Sequence, residues 1–221
     1  MYLAIEGVIG VGKTTLARSL QAAFQADLVL EVFEENPFLS DFYADRERYA
    51  FQTQIFFLLS RYHQQRRSVP DILLRNQSLI ADYTFAKDAL FASTNLQGDE
   101  LEMYRRVHDA LAEKIPCPEL TLYLRADTDV LMQRIASRDR PYERNMDRGY
   151  IDRLNQAYDD FFLTPQSGRD GEQVLVLDTN NLDYVRNQAD LKFVENRIRQ
   201  VLQLPPYQPE LPLDSTYAYH E

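Results

Sequence analysis

The sequence predicts an α/β protein built on a five-stranded parallel sheet with helices on both faces. Three observations carry that reading. Short continuous apolar runs recur at 2–5, 28–30, 78–81, 120–124 and 174–177, the pattern of strands buried on both faces. Stretches with apolar residues at helical spacing separate them. A glycine-rich turn, Gly7-Val8-Ile9-Gly10-Val11-Gly12-Lys13-Thr14, follows the first run directly and opens the first helical stretch.

Tyr2–Ile5 is the first predicted strand, running into the glycine turn. Lys13–Ala26 reads as a helix, with Leu16, Leu20 and Ala23 or Phe24 on one face. Leu28–Leu30 is the second strand, ending at Glu31. Arg48–Arg67 is a long helix carrying Phe51, Ile55, Leu58, Leu59 and Tyr62 at helical spacing. Ser78–Ala81 is the third strand and ends at Asp82; Asp99–Ile115 is a helix closed by Pro116 and Pro118; Leu120–Leu124 is the fourth strand. Helices over Thr128–Ser137 and Tyr150–Phe162 flank an arginine-rich stretch. Val174–Leu177 is the fifth strand, and Asp183–Leu204 the last helix. Residues 1–204 are expected to form one domain, followed by a proline-bearing irregular tail over 205–221.

Composition narrows the function classes. The 221 residues carry a formal net charge of −10, which disfavours general binding to nucleic acid or to an acidic membrane. A polyanion therefore needs a local cationic island. No run approaches the length needed to span a bilayer, no leader is read before the first strand, and the lone Cys117 forms no internal disulfide. A cytoplasmic location is expected.

The glycine turn reads as a cradle for the phosphates of ATP. Backbone N–H groups and a helix N-terminus hold phosphate oxygens, and Gly7, Gly10 and Gly12 let the chain curl around them. Val11 and Thr15 complete the expected contacts, Lys13 reaches the β- and γ-phosphates, and the Thr14 hydroxyl is a candidate ligand for Mg²⁺. Only four of the 24 basic residues are lysines, yet one stands at the required position. In parallel sheets ligands bind beyond the carboxyl ends of the strands. There the second strand meets Glu31, at the head of the acidic run Glu31-Val32-Phe33-Glu34-Glu35. Carboxylates here repel an acceptor that already carries a phosphate and suit a neutral hydroxyl, with Glu31 as the base. Asp82 is the first choice for the second Mg²⁺ ligand, with Asp127 and Asp178 as rivals at other strand ends. Arg134, Arg138 and Arg140 form the predicted lid, aimed at the charge that develops on a transferred phosphoryl group; Arg144 and Arg148 read as surface residues. Asp178 and Asn180 belong to a polar loop expected near the donor adenine.

With these residues in hand, the chain resembles the deoxynucleoside kinases from about residue 2 to 200, which implies a P-loop kinase fold. The resemblance implies further roles. Glu31 matches the catalytic base, Tyr43 a tyrosine at the sugar 3′-hydroxyl, and Gln54 a glutamine that bonds the base. Arg61 and Asp88 match a charged pair at the far end of the base pocket, and Glu143 a lid carboxylate reaching the sugar. It also implies a homodimer through the two long helices. One departure stands out: the family usually has an acidic residue, arginine and serine after the third strand, whereas this chain has Asp82-Tyr83-Thr84. Lys87 or a lid arginine is the expected substitute for the missing cation. The Arg61/Asp88 pair favours deoxyadenosine or deoxyguanosine, with deoxycytidine next. The competing expectations are a nucleoside monophosphate kinase similar to thymidylate kinase, and a nucleotide-binding switch without turnover.

Overall fold

The computed structural model describes residues 1–164 and 173–206. Most of the predicted tail, 207–221, lies outside these residues. Five strands form one sheet: β1 (Tyr2–Glu6), β2 (Ala26–Val29), β3 (Ser78–Ala81), β4 (Leu120–Arg125) and β5 (Gln173–Asp178). Their order is β2-β3-β1-β4-β5 and every neighbouring pair is parallel. Leu3 pairs with Ile80 on one side and Leu120 on the other, so the glycine turn leaves the centre of the sheet. Alternation along β1 divides the core. Leu3 and Ile5 join the main cluster, while Tyr2 and Ala4 join a second one with Val29, Val69, Leu79, Ala81 and Tyr83.

Helix α1 (Lys13–Phe24) buries Leu16, Ala17, Leu20 and Phe24, the i, i+4 stripe that its sequence encodes. It stops two residues before the predicted end because Gln25 turns left-handed (φ 47°) and its N–H bonds the Ala22 carbonyl at 3.2 Å. Two short helices, α2 (Leu39–Ala44) and α4 (Ala86–Asn95), escape the periodicity argument. Helix α3 (Arg46–Leu74) runs past the predicted stop and through Pro70. A proline inside a helix costs about 3 kcal/mol. On either side of it, however, Val69 is buried in the second core cluster and Ile72 and Leu73 pack against that cluster, and a buried side chain of this size returns about 1.5–3 kcal/mol. Burial wins.

Helices α5 (Gly98–Ala112), α6 (Thr128–Arg138) and α7 (Arg148–Phe162) lie close to their predicted spans. Helix α8 (Gln188–Val201) starts five residues late. Asp183 first closes a turn by accepting the N–H groups of Val185 and Arg186, and Asn187 then caps the helix at Ala189 N, 2.9 Å. No helix among the described residues is long and apolar enough to cross a membrane.

Candidate active site

Each strand delivers its last residues to one edge of the sheet. β1 ends in Glu6, and the chain then curls through Gly7–Gly12 into α1. The curl depends on glycine. Gly12 has φ +105°, and a Cβ there would stand 2.3 Å from the Tyr184 hydroxyl; at Gly7, φ +146°, it would stand 2.5 Å from the Leu124 carbonyl oxygen. Tyr184 donates to the Val11 carbonyl at 3.1 Å and so ties the turn to the loop after β5.

Two cavities meet at this turn, sharing Gly10, Gly12, Thr15 and Arg138 as walls. The first, of about 370 Å³, runs from Lys13 and Thr14 past Glu31 to Gln54 and Arg61. Its mouth is roofed by aromatic contacts: Tyr142 stacks on Tyr43 with centroids 5.9 Å apart, and Arg140 lies 4.1 Å from the Phe33 ring centroid. The second, of about 640 Å³, is bounded by Val11, Arg134 and the 180–185 loop.

Five cations line the first cavity: Lys13, Arg61, Lys87, Arg138 and Arg140. The cationic island thus draws on α1, α3 and α4 as well as on the arginine-rich stretch. Lys13 Nζ donates to the carbonyls of Gly7 (2.6 Å) and Val8 (3.2 Å). Burial, and then Lys87 nearby, lower its pKa to about 8. The Glu31 carboxylate, two residues beyond β2, receives Arg61 Nε at 3.1 Å and Arg61 Nη2 on one oxygen, and Lys87 Nζ on the other. Burial pushes this carboxyl up, but attraction from Lys87 and Arg61 outweighs it and holds the group well below the usual carboxylate range.

Asp82 bridges two elements: one oxygen accepts the Glu31 N–H at 2.8 Å and the other the Thr14 hydroxyl. A hydroxyl beside a carboxylate at the start of a phosphate cradle is an all-oxygen donor pair, which fits Mg²⁺ arriving with a nucleotide's own oxygens and waters. Among the described residues no group of three or more His, Cys, Asp or Glu side chains is poised to hold a metal unaided. Asp127 instead precedes α6, is exposed, and lines neither cavity.

Gln54 is 2% exposed, lines the first cavity, and its Oε1 has no hydrogen-bond partner among the described residues. Such an acceptor is costly to leave unmet in a protein interior. Glu143 is 4% exposed and takes a two-pronged bond from Arg138, at 2.7 and 2.6 Å.

Three expected residues are placed differently from the sequence reading. Asp88 does not reach the cavity wall; it is wholly buried behind Arg61, and one of its oxygens accepts from Arg61 Nη1. Arg134 faces the second cavity and is held by Val11 O (3.2 Å), Thr179 Oγ1 (3.1 Å) and Thr179 O (2.6 Å). Asp178 spends its carboxylate on the turn, accepting Asn180 N at 2.9 Å, and borders neither cavity. Asn180 does line the second cavity, its amide oxygen accepting the Asp127 N–H at 2.8 Å. Arg144 and Arg148 make exposed ion pairs with Asp139 and Asp129, as expected of surface residues.

Sequence reasoning missed Glu6. It is fully buried and accepts from Thr84 N (2.6 Å), Thr84 Oγ1 (2.9 Å) and Tyr158 OH (3.3 Å), which fixes the start of the glycine turn. Burial raises its carboxyl pKa against the pull of Lys87 and Lys13. The available signal was a glutamate closing an otherwise apolar strand.

The family model for the deoxynucleoside kinases matches residues 3–203. The deoxyguanosine kinase of Bacillus subtilis (strain 168) is 32% identical over 201 residues, covering 91% of this chain and 97% of that protein. The deoxyadenosine/deoxycytidine kinase of the same organism is 26% identical over 208 residues, covering 90% and 92%. In fold, the chain is similar to the deoxyadenosine kinase from M. mycoides solved with dCMP and dCDP, with a TM-score of 0.77 over 91% of this chain and 100% of that one, at 24% identity.

Proposed function

The chain belongs to the deoxynucleoside kinase family, and on that premise we propose that it transfers the γ-phosphate of ATP to the 5′-hydroxyl of a purine deoxynucleoside. Deoxyadenosine or deoxyguanosine is the preferred acceptor, with deoxycytidine next. One observation carries the proposal: the first cavity has the phosphate cradle and Glu31 at one end and, at the other, the buried Gln54 oxygen, which is unpartnered among the described residues. That polarity suits a molecule with a hydroxyl at one end and a hydrogen-bonding base at the other. The names of the two Bacillus subtilis relatives, a deoxyguanosine kinase and a deoxyadenosine/deoxycytidine kinase, support the purine preference.

In this reading the second cavity takes the donor nucleoside, with Asn180 at its adenine end and Arg134 holding the loop against the turn. The glycine turn, Thr15 and Lys13 hold the β- and γ-phosphates. Thr14 and Asp82 would hold Mg²⁺, which would supply charge neutralisation on the phosphate oxygens. Tyr43 and Glu143 bind the sugar, and Gln54 and Arg61 the base. Asp88 acts on substrate through Arg61, and Asp178 acts on the donor through Asn180. The acceptor oxygen bonds to the γ-phosphorus as the bond to the β–γ bridging oxygen breaks. Arg138 and Arg140 close on the transferred group. Glu31 orients the hydroxyl and takes its proton late in a loose transition state. A carboxylate held at such low basicity serves first as an orienting acceptor.

The test is a panel of deoxynucleosides with ATP–Mg²⁺ and GTP–Mg²⁺, with product identified by chromatography. Monophosphate from a purine deoxynucleoside is expected. No product from any nucleoside, or faster phosphorylation of a monophosphate than of its nucleoside, would overturn the proposal. Glu31→Gln should lower turnover about 10²-fold while nucleotide binding persists. We also propose a homodimer through α3 and α5, which leave Leu59 and Met103 on the surface at 41% and 54% exposure. Sedimentation as a monomer at micromolar concentration would exclude it.

A further inference from the structure

Tyr83 follows Asp82 at the position where the family resemblance leads one to expect an arginine. Its side chain turns away from the first cavity. The ring is fully buried in the second core cluster with Tyr2, Val29, Val69 and Leu79, and its hydroxyl donates to Gln64. Gln64 in turn donates to the Leu30 carbonyl at 2.8 Å. Tyr83 carries no charge, so position 83 brings no cation to Glu31 in this chain, although its ring lies 6.0 Å from the Arg61 guanidinium.

Two cations reach Glu31 from elsewhere. Arg61 comes from α3 and grips one carboxylate oxygen; Lys87 comes from the first turn of α4 and grips the other. Lys87 is 5% exposed, lines the first cavity, and its ammonium sits 5.5 Å from the Phe91 ring centroid. A carboxylate held through one oxygen can still swing about its last torsion, whereas cations on both oxygens fix its plane. The Glu31 N–H is tied to Asp82, so main chain and side chain are both held.

We propose that Lys87 is a positioning residue for the transfer reaction. With Arg61 it fixes the Glu31 carboxylate against the acceptor hydroxyl, performing from α4 the task that position 83 cannot perform in this chain. The inference rests on the kinase reading above.

The test is steady-state kinetics on the full chain with ATP–Mg²⁺ and the best nucleoside of the panel. The variants are Lys87→Gln, Lys87→Met and Lys87→Arg, with Tyr83→Phe as a control, and nucleotide-binding stoichiometry gives kcat per folded site. Loss of the charge in Lys87→Gln should lower kcat about tenfold or more with the KM for ATP within about threefold of wild type. Lys87→Arg should recover most of the lost kcat. Tyr83→Phe removes only the bond to Gln64 and should leave kcat within about twofold. Lys87→Met keeps an apolar stem beside Phe91 and repeats the measurement without charge if the glutamine variant folds poorly. Wild-type kcat per folded site in the charge-free variants, or an arginine variant as impaired as they are, overturns the inference while leaving the kinase reading intact. A wild-type chain that phosphorylates no nucleoside overturns both.

Discussion

Replacing Arg61 by methionine separates the structural from the recognition role of the charged cluster. Asp88 is wholly buried, one of its oxygens bonds Arg61, and the other has no partner among the described residues. Burial already raises the Asp88 carboxyl pKa, and Arg61 is the first counterweight to that rise. Arg61→Met keeps an apolar stem against Phe57 but leaves Asp88 without its cation, whereas Glu31 retains Lys87. Breaking a buried pair in this way costs about 3–5 kcal/mol. For a chain of this size each kcal/mol moves Tm by about 2–4 °C, so the expected fall is about 6–20 °C by circular dichroism. The double variant Arg61→Met/Asp88→Leu removes both charges and should regain most of the loss. The deficit should also depend on pH. A protonated Asp88 needs no cation, and its folded pKa lies above the unfolded value. The single variant therefore recovers relative to wild type as pH falls toward the carboxylate range and is worst at neutral pH and above. A shift in Tm below about 2 °C, or a double variant no better than the single one, would refute this account.

Gln54→Leu should raise the nucleoside KM by about tenfold to a hundredfold with the KM for ATP unchanged, because the lost bond faces only the acceptor cavity; equal effects on both would contradict that placement. Gly12→Ala should abolish nucleotide binding in calorimetry, since a Cβ there meets the Tyr184 hydroxyl at 2.3 Å on a backbone at φ +105°. Nucleotide affinity should weaken about tenfold between pH 7 and pH 9, because Lys13 loses its proton near pH 8 in the free protein while bound phosphate holds that proton; calorimetry in two buffers should register proton uptake near pH 8, and a flat profile would remove Lys13 from the phosphate contacts.

The parts of the site that depend on local sequence were readable from it. The glycine turn, the strands and Asp82 at the end of β3 follow from apolar runs and glycine spacing, which act over a few residues. Helices α2 and α4 were not readable, because six and ten residues complete too few turns to show a period. The extension of α3 through Pro70 reverses a local preference by packing on β-strand residues distant in sequence. The partners of Arg61 were half legible. The pairing with Asp88 came from the family resemblance, but the grip on Glu31 joins residues 30 apart and only the folded chain reveals it. Glu6 drew no reading from the sequence, and the folded chain makes it the buried anchor of the turn.

The cations around the first cavity are all engaged without any visitor. Lys13 holds carbonyl oxygens of its own turn, Arg138 holds Glu143, and Arg61 and Lys87 share Glu31. In the proposed reaction, phosphate oxygens that reach Lys13 and Arg138 replace internal oxygens while Arg61 and Lys87 keep Glu31, and only the difference between old and new contacts contributes to affinity. Release follows the same exchange in reverse, because the departing product is traded for a ready internal substitute and leaves no bare charge behind.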